Sequence, residues 1–208
     1  MKLEHIKKAL SHLKKDKLLE KIISKSPKPN FKKGKGYFEA LIQSIIYQQI
    51  SGKAAATIEQ RFKSLFKDKK PTPEKVLKLK DSRFKSAGIS PQKMKYIKDL
   101  SLKFSDGTIK HSDFEQMSDE DIRMHLISVK GIGHWTIDMF LMFTLNRLDV
   151  LPTGDLGIQK GFANIFNLKK LPDAKKMEKL GNLWRPYRTI ASWYLWRIAD
   201  KEKGEFNW

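Results

Sequence analysis

The 208-residue chain contains no cysteine. This absence excludes disulfides, a Cys-ligated zinc site, an iron–sulfur cluster and a cysteine nucleophile, and it suits a reducing compartment. The five histidines lie apart, without the spacing of metal ligands, so we expect neither a catalytic metal nor another cofactor.

Long hydrophobic runs are also missing. No stretch approaches the ~20 apolar residues that cross a membrane. The segment "MKLEHIKKALSHLKKDKLLEKII" alternates apolar and charged residues at helical spacing, which differs from the continuous apolar core of a signal peptide. We therefore expect a soluble, intracellular protein with no membrane partner.

Acidic residues are few relative to basic ones. The chain has 42 Lys and Arg against 23 Asp and Glu, which gives a net charge of +19. Its 40% hydrophobic and 11% aromatic content is typical of a folded protein rather than a disordered basic tail. Nucleic acid is the leading partner that this charge suggests. Lysines supply 35 of the basic residues, so the generic basicity of a Lys-rich proteome is the alternative.

No segment alternates as a β-strand does, so the sequence predicts an all-α fold. The first helical region is marked by apolar residues from Leu3 to Ile22, and a basic loop, Ser24–Gly36, follows it. Cap residues at Thr72, Ser90 and Ser118, together with apolar spacing, predict the later helices. These span 37–50, 53–66, 71–79, 90–104, 118–129, 134–145, 156–166, 172–183 and 186–201.

The stretch "SVKGIGHWT" interrupts this helical pattern with two glycines, Gly131 and Gly133. A helix ending near Val129 and another beginning near His134 would form a helix-hairpin-helix with Ile132 turned inward. The amides of the second helix would then face outward, where the helix dipole and Lys130 favour a phosphate. The alternative is a plain tight turn within the core.

The stretch "VLPTGDLGIQKGF" places one carboxylate, Asp155, at a rigid turn where a helix begins. A fixed carboxylate can stabilise developing positive charge or deprotonate water. The same residue is also a good helix N-cap, and the two roles are compatible.

Four motifs in order carry a family resemblance: "LIQSIIYQQISGKAAATI", "LISVKGIGHWTIDMFLMF", "LPTGDLGIQKGF" and "LWRPYRTIASWYLWR". Over residues 36–200 the chain resembles the helix-hairpin-helix DNA glycosylase superfamily, in particular its alkylbase (3-methyladenine DNA glycosylase II) branch. The resemblance implies a two-lobed helical domain with a central cleft. Some members carry an additional N-terminal β domain, and because the residues before the match begin with a helical segment, we expect none here. We expect this single domain to span 1–208, with an N-terminal helix and basic loop in 1–35 and the helix-hairpin-helix in 118–145.

The resemblance also implies roles for individual residues. Asp155 would be the catalytic carboxylate. Gln49 or its neighbour Gln48 would enter the DNA stack where a nucleotide is flipped out, although a plain helix-end cap is the alternative for both. The hairpin would hold DNA phosphates, and backbone carbonyls within it could bind a monovalent cation. The hairpin contacts are Lys130, Gly131, Ile132, Gly133, His134 and Thr136, and the carbonyls are those of Ile127, Val129 and Ile132.

The base pocket implied by the resemblance contains Trp135, Trp196 and Met139. An aromatic face attracts a cationic alkylated base by about 1–2 kcal/mol. Core packing is the alternative for both tryptophans. Met139 stands where another member has an aromatic residue, so the pocket shape can differ. Asp138 could orient a neighbour, but a solvated or salt-bridged surface role is the simpler interpretation.

Trp135 also bears on the reaction type. Bifunctional members of the superfamily carry a Lys at this position, whose amine attacks the sugar. Its replacement by Trp, with the missing cysteines of an iron–sulfur cluster, predicts a monofunctional enzyme that leaves an abasic site.

The sequence therefore predicts an enzyme that hydrolyses the N-glycosidic bond of alkylated, cationic purines in double-stranded DNA. We expect it to act as a monomer, on the cytoplasmic nucleoid if prokaryotic and in the nucleus if eukaryotic. Two alternatives are a glycosylase for oxidised or mismatched bases and a non-enzymatic DNA-binding module.

Overall fold

A computed structural model describes residues 3–31 and 36–199 of the protein. Within these ranges the chain forms α-helices, short 3₁₀ turns and loops, with no strand, as the sequence predicts. The end of the last predicted helix, 200–201, and part of the basic loop, 32–35, lie outside the described residues. None of the described helices has the length and apolar character to cross a bilayer. The helices are α1 (Leu3–Leu13), α2 (Lys17–Ile23), α3 (Tyr37–Tyr47), α4 (Gly52–Lys63), α5 (Pro73–Leu77), α6 (Asp81–Ser86), α7 (Pro91–Ser105), α8 (Asp119–Ile127), α9 (His134–Phe143), α10 (Leu156–Ile165), α11 (Ala174–Gly181) and α12 (Arg188–Ala199).

The chain divides into two compact units, and the division falls within α9. The first unit comprises Met1–Lys33 and Leu141–Trp208, and the second comprises Gly34–Phe140. In the first unit, α10 packs along α12, and α1 and α2 also contact α12. In the second unit, α7 packs against α3, α5 and α6, and α3 packs against α4.

The first unit surrounds large buried side chains, including Trp184, Tyr194 and Phe162. Among the described residues of this unit, Arg188 is the one strongly buried cation, and it is paired. The Nε of Arg188 lies 2.7 Å from Oδ1 of Asp149, and its Nη1 lies 2.7 Å from Oε2 of Glu178. Because a buried charge is costly without partners, this network stabilises the start of α12.

The predicted first helical region is two helices in the structure. Asp16 separates them: its Oδ1 accepts hydrogen bonds from the N–H groups of Leu18 (2.8 Å) and Leu19 (3.3 Å) and so caps α2. Its other oxygen, Oδ2, accepts from Nε1 of Trp184 at 2.8 Å. The break shifts the buried face of the second helix, so Leu18 is 39% exposed whereas Leu19 is fully buried.

Other helices also depart from the sequence prediction. The helix predicted over 37–50 ends at Tyr47, because Gln48 leaves the helical conformation with ψ 131° and Gln49 follows in a left-handed conformation with φ 57°. Helix α6 was not predicted, and its N-cap position is a lysine that makes no capping hydrogen bond. The helix predicted over 172–183 begins only at Ala174, where the side chain of Asp173 caps it. Thr72, Ser90 and Ser118 cap their helices as the sequence predicts.

The contact between α10 and α12 is a testable feature of the first unit. A Cβ added at Gly161 would lie 2.7 Å from the carbonyl oxygen of Leu195 and 2.8 Å from its Cβ. Gly161→Ala should therefore lower the free energy of unfolding by roughly 1–3 kcal/mol, and thermal melting should shift down by several degrees. Gly52→Ala is the matched control, since a Cβ there meets nothing within 4 Å. A Gly161→Ala protein that melts with the wild type would disprove this close packing.

Candidate functional site

The glycine-containing stretch forms the expected hairpin in the second unit. Helix α8 ends at Ile127 and α9 begins at His134. Ile132 is 4% exposed, which confirms its inward orientation. The helical hydrogen bonds of α9 start with the N–H of Ile137, which donates to the carbonyl of Gly133 at 3.1 Å. The N–H groups of the first turn therefore lie outside the helical ladder, as anion binding at a helix N-terminus requires.

The two hairpin glycines serve different purposes. Gly131 has φ +80°, and an added Cβ would lie 2.1 Å from the ring of Tyr96. The fold itself therefore requires a glycine at this position. At Gly133 an added Cβ meets nothing within 4 Å, and no positive φ constrains it. Its missing side chain leaves open space on the outside of the hairpin, where another molecule's backbone can approach.

Helix α7 holds the hairpin in place. The Oδ2 of Asp99 accepts from the backbone N–H of Lys130 at 2.9 Å and from Nζ of Lys103 at 3.0 Å. Lys103 also donates to the carbonyl of Ser128. Burial alone would raise the pKa of Asp99, but the hydrogen bonds from Lys130 and Lys103 outweigh it and hold the pKa below its ordinary value. Asp99 is thus a charged acceptor that fixes the hairpin backbone.

The two glutamines after α3 are placed differently. The Nε2 of Gln48 donates to the carbonyl of Gly131 at 2.8 Å, so this side chain is bound to the hairpin. The carbonyls of Ile46 and Gln48 accept from Nζ of Lys93 at 2.7 and 2.8 Å. Burial lowers the pKa of this lysine. Gln49, by contrast, is exposed, in the left-handed conformation described above.

Other predicted contacts near the hairpin differ in accessibility. Lys130, Gly131, Gly133 and His134 are exposed, whereas the side chain of Thr136 is buried with the residue only 3% exposed. A partner can therefore reach the first four, whereas the buried side chain of Thr136 is not accessible as the predicted DNA contact.

The sequence also suggested the hairpin carbonyls as ligands of a cation and Asp138 as a residue that could orient a neighbour. Of the three carbonyls considered for a cation, that of Val129 accepts the N–H of Ile132 at 3.1 Å. Within the described ranges, no cluster of three or more His, Cys, Asp or Glu side chains could hold a metal ion. Asp138 is 6% exposed and is paired through Oδ1 with Nη2 of Arg123 at 2.5 Å. It is salt-bridged, but it lies in the interior rather than on the surface.

The base-pocket candidates of the second unit lie on α9. Trp135 is 38% exposed, which is unusual for so large an apolar side chain at a helix start. Met139, one turn further along, is 6% exposed. Trp135 can therefore meet a ligand directly, whereas Met139 is buried. Their roles in a base pocket stay predictions.

The predicted catalytic carboxylate lies in the first unit. Asp155 is half-buried at the N-terminus of α10, and its Oδ1 accepts from the N–H of Ile158 at 2.9 Å. This confirms its N-cap role. The same oxygen accepts from Nε1 of Trp196 at 2.8 Å. Two donors from different helices therefore fix the position of this carboxylate.

The turn before Asp155 is fixed as well. The N–H of Asp155 donates to the carbonyl of Pro152 at 3.0 Å, and Nε2 of Gln159 donates to the carbonyl of Thr153 at 3.0 Å. Gly157 makes room for the tryptophan, since an added Cβ would lie 2.7 Å from Cδ1 of Trp196. Trp196 itself is 4% exposed and lies 6.0 Å from the ring of Phe143. A base could meet only a small part of this ring, so its pocket role stays a prediction beside its contact with Asp155.

The residues that support the hairpin, the turn after α3 and Trp196 were not identified from the sequence. Lys93, Tyr96, Asp99 and Lys103 follow one another every three or four residues in "KMKYIKDLSLK", which is the spacing of one helix face. That spacing was the available signal. For Gly157 the available signal was its position inside a helical pattern, where a glycine often has a packing reason.

The all-helical fold and the hairpin between α8 and α9 define a helix-hairpin-helix protein. Residues 42–186 match the model of the "HhH-GPD superfamily base excision DNA repair protein", and the chain belongs to this family.

Relatives of known name point to one branch of the family. The chain is 36% identical over 171 residues to DNA-3-methyladenine glycosylase 1 of Schizosaccharomyces pombe, covering 80% of this chain and 75% of that protein. The solved structure of the S. pombe 3-methyladenine DNA glycosylase in complex with abasic DNA matches with a TM-score of 0.80 at 33% identity, covering 96% of this chain and 100% of that one. The DNA-3-methyladenine glycosidase of Bacillus halodurans matches with a TM-score of 0.83 at 32% identity, covering 91% and 88%.

The contrast between the two hairpin glycines can be tested directly. Gly133→Val should weaken binding to any duplex by roughly 10-fold or more, because its side chain occupies the space that a DNA backbone would need. Its cost in folding stability should stay near 1 kcal/mol. The matched variant Gly131→Val should instead destabilise the protein, because of the positive φ and the Tyr96 ring. Fluorescence anisotropy with an undamaged duplex and thermal melting measure both effects; unchanged affinity in Gly133→Val would rule out close DNA approach there.

Proposed function

We propose that the protein is a monofunctional alkylbase DNA glycosylase. It binds double-stranded DNA as a monomer, extrudes an alkylated, positively charged purine and hydrolyses the N-glycosidic bond, leaving an abasic site. The observation that carries this proposal is the carboxylate of Asp155, held by Ile158 and Trp196 at a helix start. The names of the relatives support the alkylated substrate. Its DNA substrate places the protein inside the cell, in the compartment that holds the genome.

DNA binding begins with charge and the hairpin. A net charge of +19 favours association with phosphates, and the first-turn amides of α9 with Lys130 form an anion site. Extruding a nucleotide costs a few kcal/mol, least for a damaged or poorly paired base. Gln49, exposed at the turn after α3, enters the space that the nucleotide leaves.

The chemistry requires only one carboxylate. As the bond between base and sugar breaks, positive charge develops on the sugar, and a fixed negative charge stabilises this oxocarbenium-like state. Asp155 supplies that charge and orients or deprotonates the attacking water. An alkylated purine already carries positive charge and leaves as a neutral base, so it needs little help from a general acid. The exposed face of Trp135 favours such a cation over neutral bases.

Base release from methylated duplex DNA tests the proposal. The purified protein should release free methylpurines, and strand breaks should appear only after treatment with alkali. Asp155→Asn should lower single-turnover release at least 100-fold while affinity for the duplex changes less than about threefold. Breaks without alkali would show a lyase and contradict the inference from Trp135. Tight, salt-sensitive binding with no released base would instead indicate a non-enzymatic DNA-binding module.

Trp196 acts on the reaction through Asp155. Trp196→Phe removes the N–H donor and keeps an aromatic ring, so release should slow roughly 10-fold with unchanged DNA affinity. Gly157→Ala should act in the same direction by pushing the indole away. Trp193→Phe is the matched control on the same helix.

A double-mutant cycle separates this positioning role from general damage. In an Asp155→Asn background, Trp196→Phe should cause little further loss, because the hydrogen-bond acceptor has already changed. Independent, multiplying losses would assign Trp196 a role that does not run through Asp155.

A further inference from the structure

One face of helix α7 contacts both elements that the proposed function brings to DNA. Lys93, Tyr96, Asp99 and Lys103 are spaced every three or four residues along this helix. Lys93 binds the carbonyls at the end of α3, next to Gln49. The other three contact the hairpin, through the ring beneath Gly131 and through the hydrogen bonds to Lys130 and Ser128. The turn after α3 and the hairpin therefore share a single support.

Gln48 joins the two elements directly. Its side chain donates to the carbonyl of Gly131 at 2.8 Å, and its own carbonyl accepts from Lys93 at 2.8 Å. Gln48 is thus bound at both its side chain and its backbone, immediately before the exposed Gln49.

The conformation of Gln49 shows why such binding matters. A φ of 57° is disfavoured for a residue with a side chain and persists only where neighbouring contacts impose it. The described contacts nearest to Gln49 along the chain are those of Gln48. Without them the turn would relax, and Gln49 would point elsewhere.

We propose that Gln48 is a positioning residue that couples the hairpin to Gln49, so that gripping the phosphates and filling the gap in the DNA stack occur as one event. A hairpin seated on a phosphate then fixes where Gln49 enters the duplex, and energy from phosphate contacts is used to hold the nucleotide out. The inference rests on the proposed function in one respect: Gln49 occupies the space left by the flipped nucleotide.

Binding preference for an abasic-site duplex over an intact duplex measures this coupling without any bond cleavage. Gln49→Ala should reduce the preference roughly 10-fold, because the gap is no longer filled. Gln48→Met, which keeps the volume and removes the donor, should reduce it roughly 5- to 10-fold. The double variant should lose little more than Gln49→Ala alone, since a misplaced and an absent side chain are equivalent.

Two further variants complete the experiment. Gln43→Met is the matched control, because Gln43 lies on α3, the helix that precedes Gln48, and donates its amide to Glu59 at 3.0 Å, away from the hairpin. It should leave the preference unchanged. Lys93→Met, which removes the second support of the turn, should lower the preference as Gln48→Met does, and it carries the test if Gln48→Met melts at a markedly lower temperature.

Two results would overturn the proposal. One is independent, multiplying losses for Gln48→Met and Gln49→Ala. The other is an equal loss of affinity for intact and abasic duplexes, which would make Gln48 a support of the hairpin alone. If the variants show the coupling but the wild-type protein releases no methylpurine, the result would contradict the glycosylase proposal and support the coupling proposal.

Discussion

The close approach of the hairpin backbone to helix α7 is the constraint on which the second unit depends. Gly131 lies against the ring of Tyr96 at a distance that no side chain at this position would permit. Once the backbone is that near, the amide of Lys130 comes within hydrogen-bond distance of Asp99, and the carbonyl of Gly131 comes within reach of Gln48. These inward contacts fix the hairpin from which the first turn of α9 begins.

An acidic residue beside a predicted phosphate site needs explanation, since its charge would repel DNA. Asp99 accepts one backbone N–H and lies 3.0 Å from the ammonium group of Lys103, which compensates its charge. With Lys103 and Lys130 together, the local balance stays positive. Because the pKa of Asp99 is lowered, its stabilising contribution is present above the ordinary aspartate pKa and is lost as the pH falls through the lowered value. The hydrogen bonds of Asp99 with Lys130 and Lys103 are therefore intact at neutral pH.

The sequence predicted features that depend on local rules. Thr72, Ser90 and Ser118 were assigned as helix caps because a side-chain oxygen in that position satisfies nearby amides, and the structure bears this out. The sequence could not predict the separation of α1 from α2 in the same way. Asp16 resembles any other charged residue of a basic amphipathic segment until Trp184, 168 positions away, donates to it. Contacts of that range leave no periodic signal in one sequence.

The same distinction applies to the candidate site. The N-cap role of Asp155 could be recognised from its own turn, and it is compatible with the proposed catalytic role, because the N-cap uses Oδ1 without displacing the carboxylate from its turn. What the turn cannot show is that Trp196 donates to that same oxygen, since this depends on the packing of α10 against α12. The glycines make the point physically: Gly157 and Gly161 lie four residues apart on one face of α10, and each admits part of α12 where a Cβ would collide. The helix that carries the carboxylate therefore accommodates its neighbour at two positions, at Gly161 for close packing and at Gly157 to bring an indole N–H to Asp155.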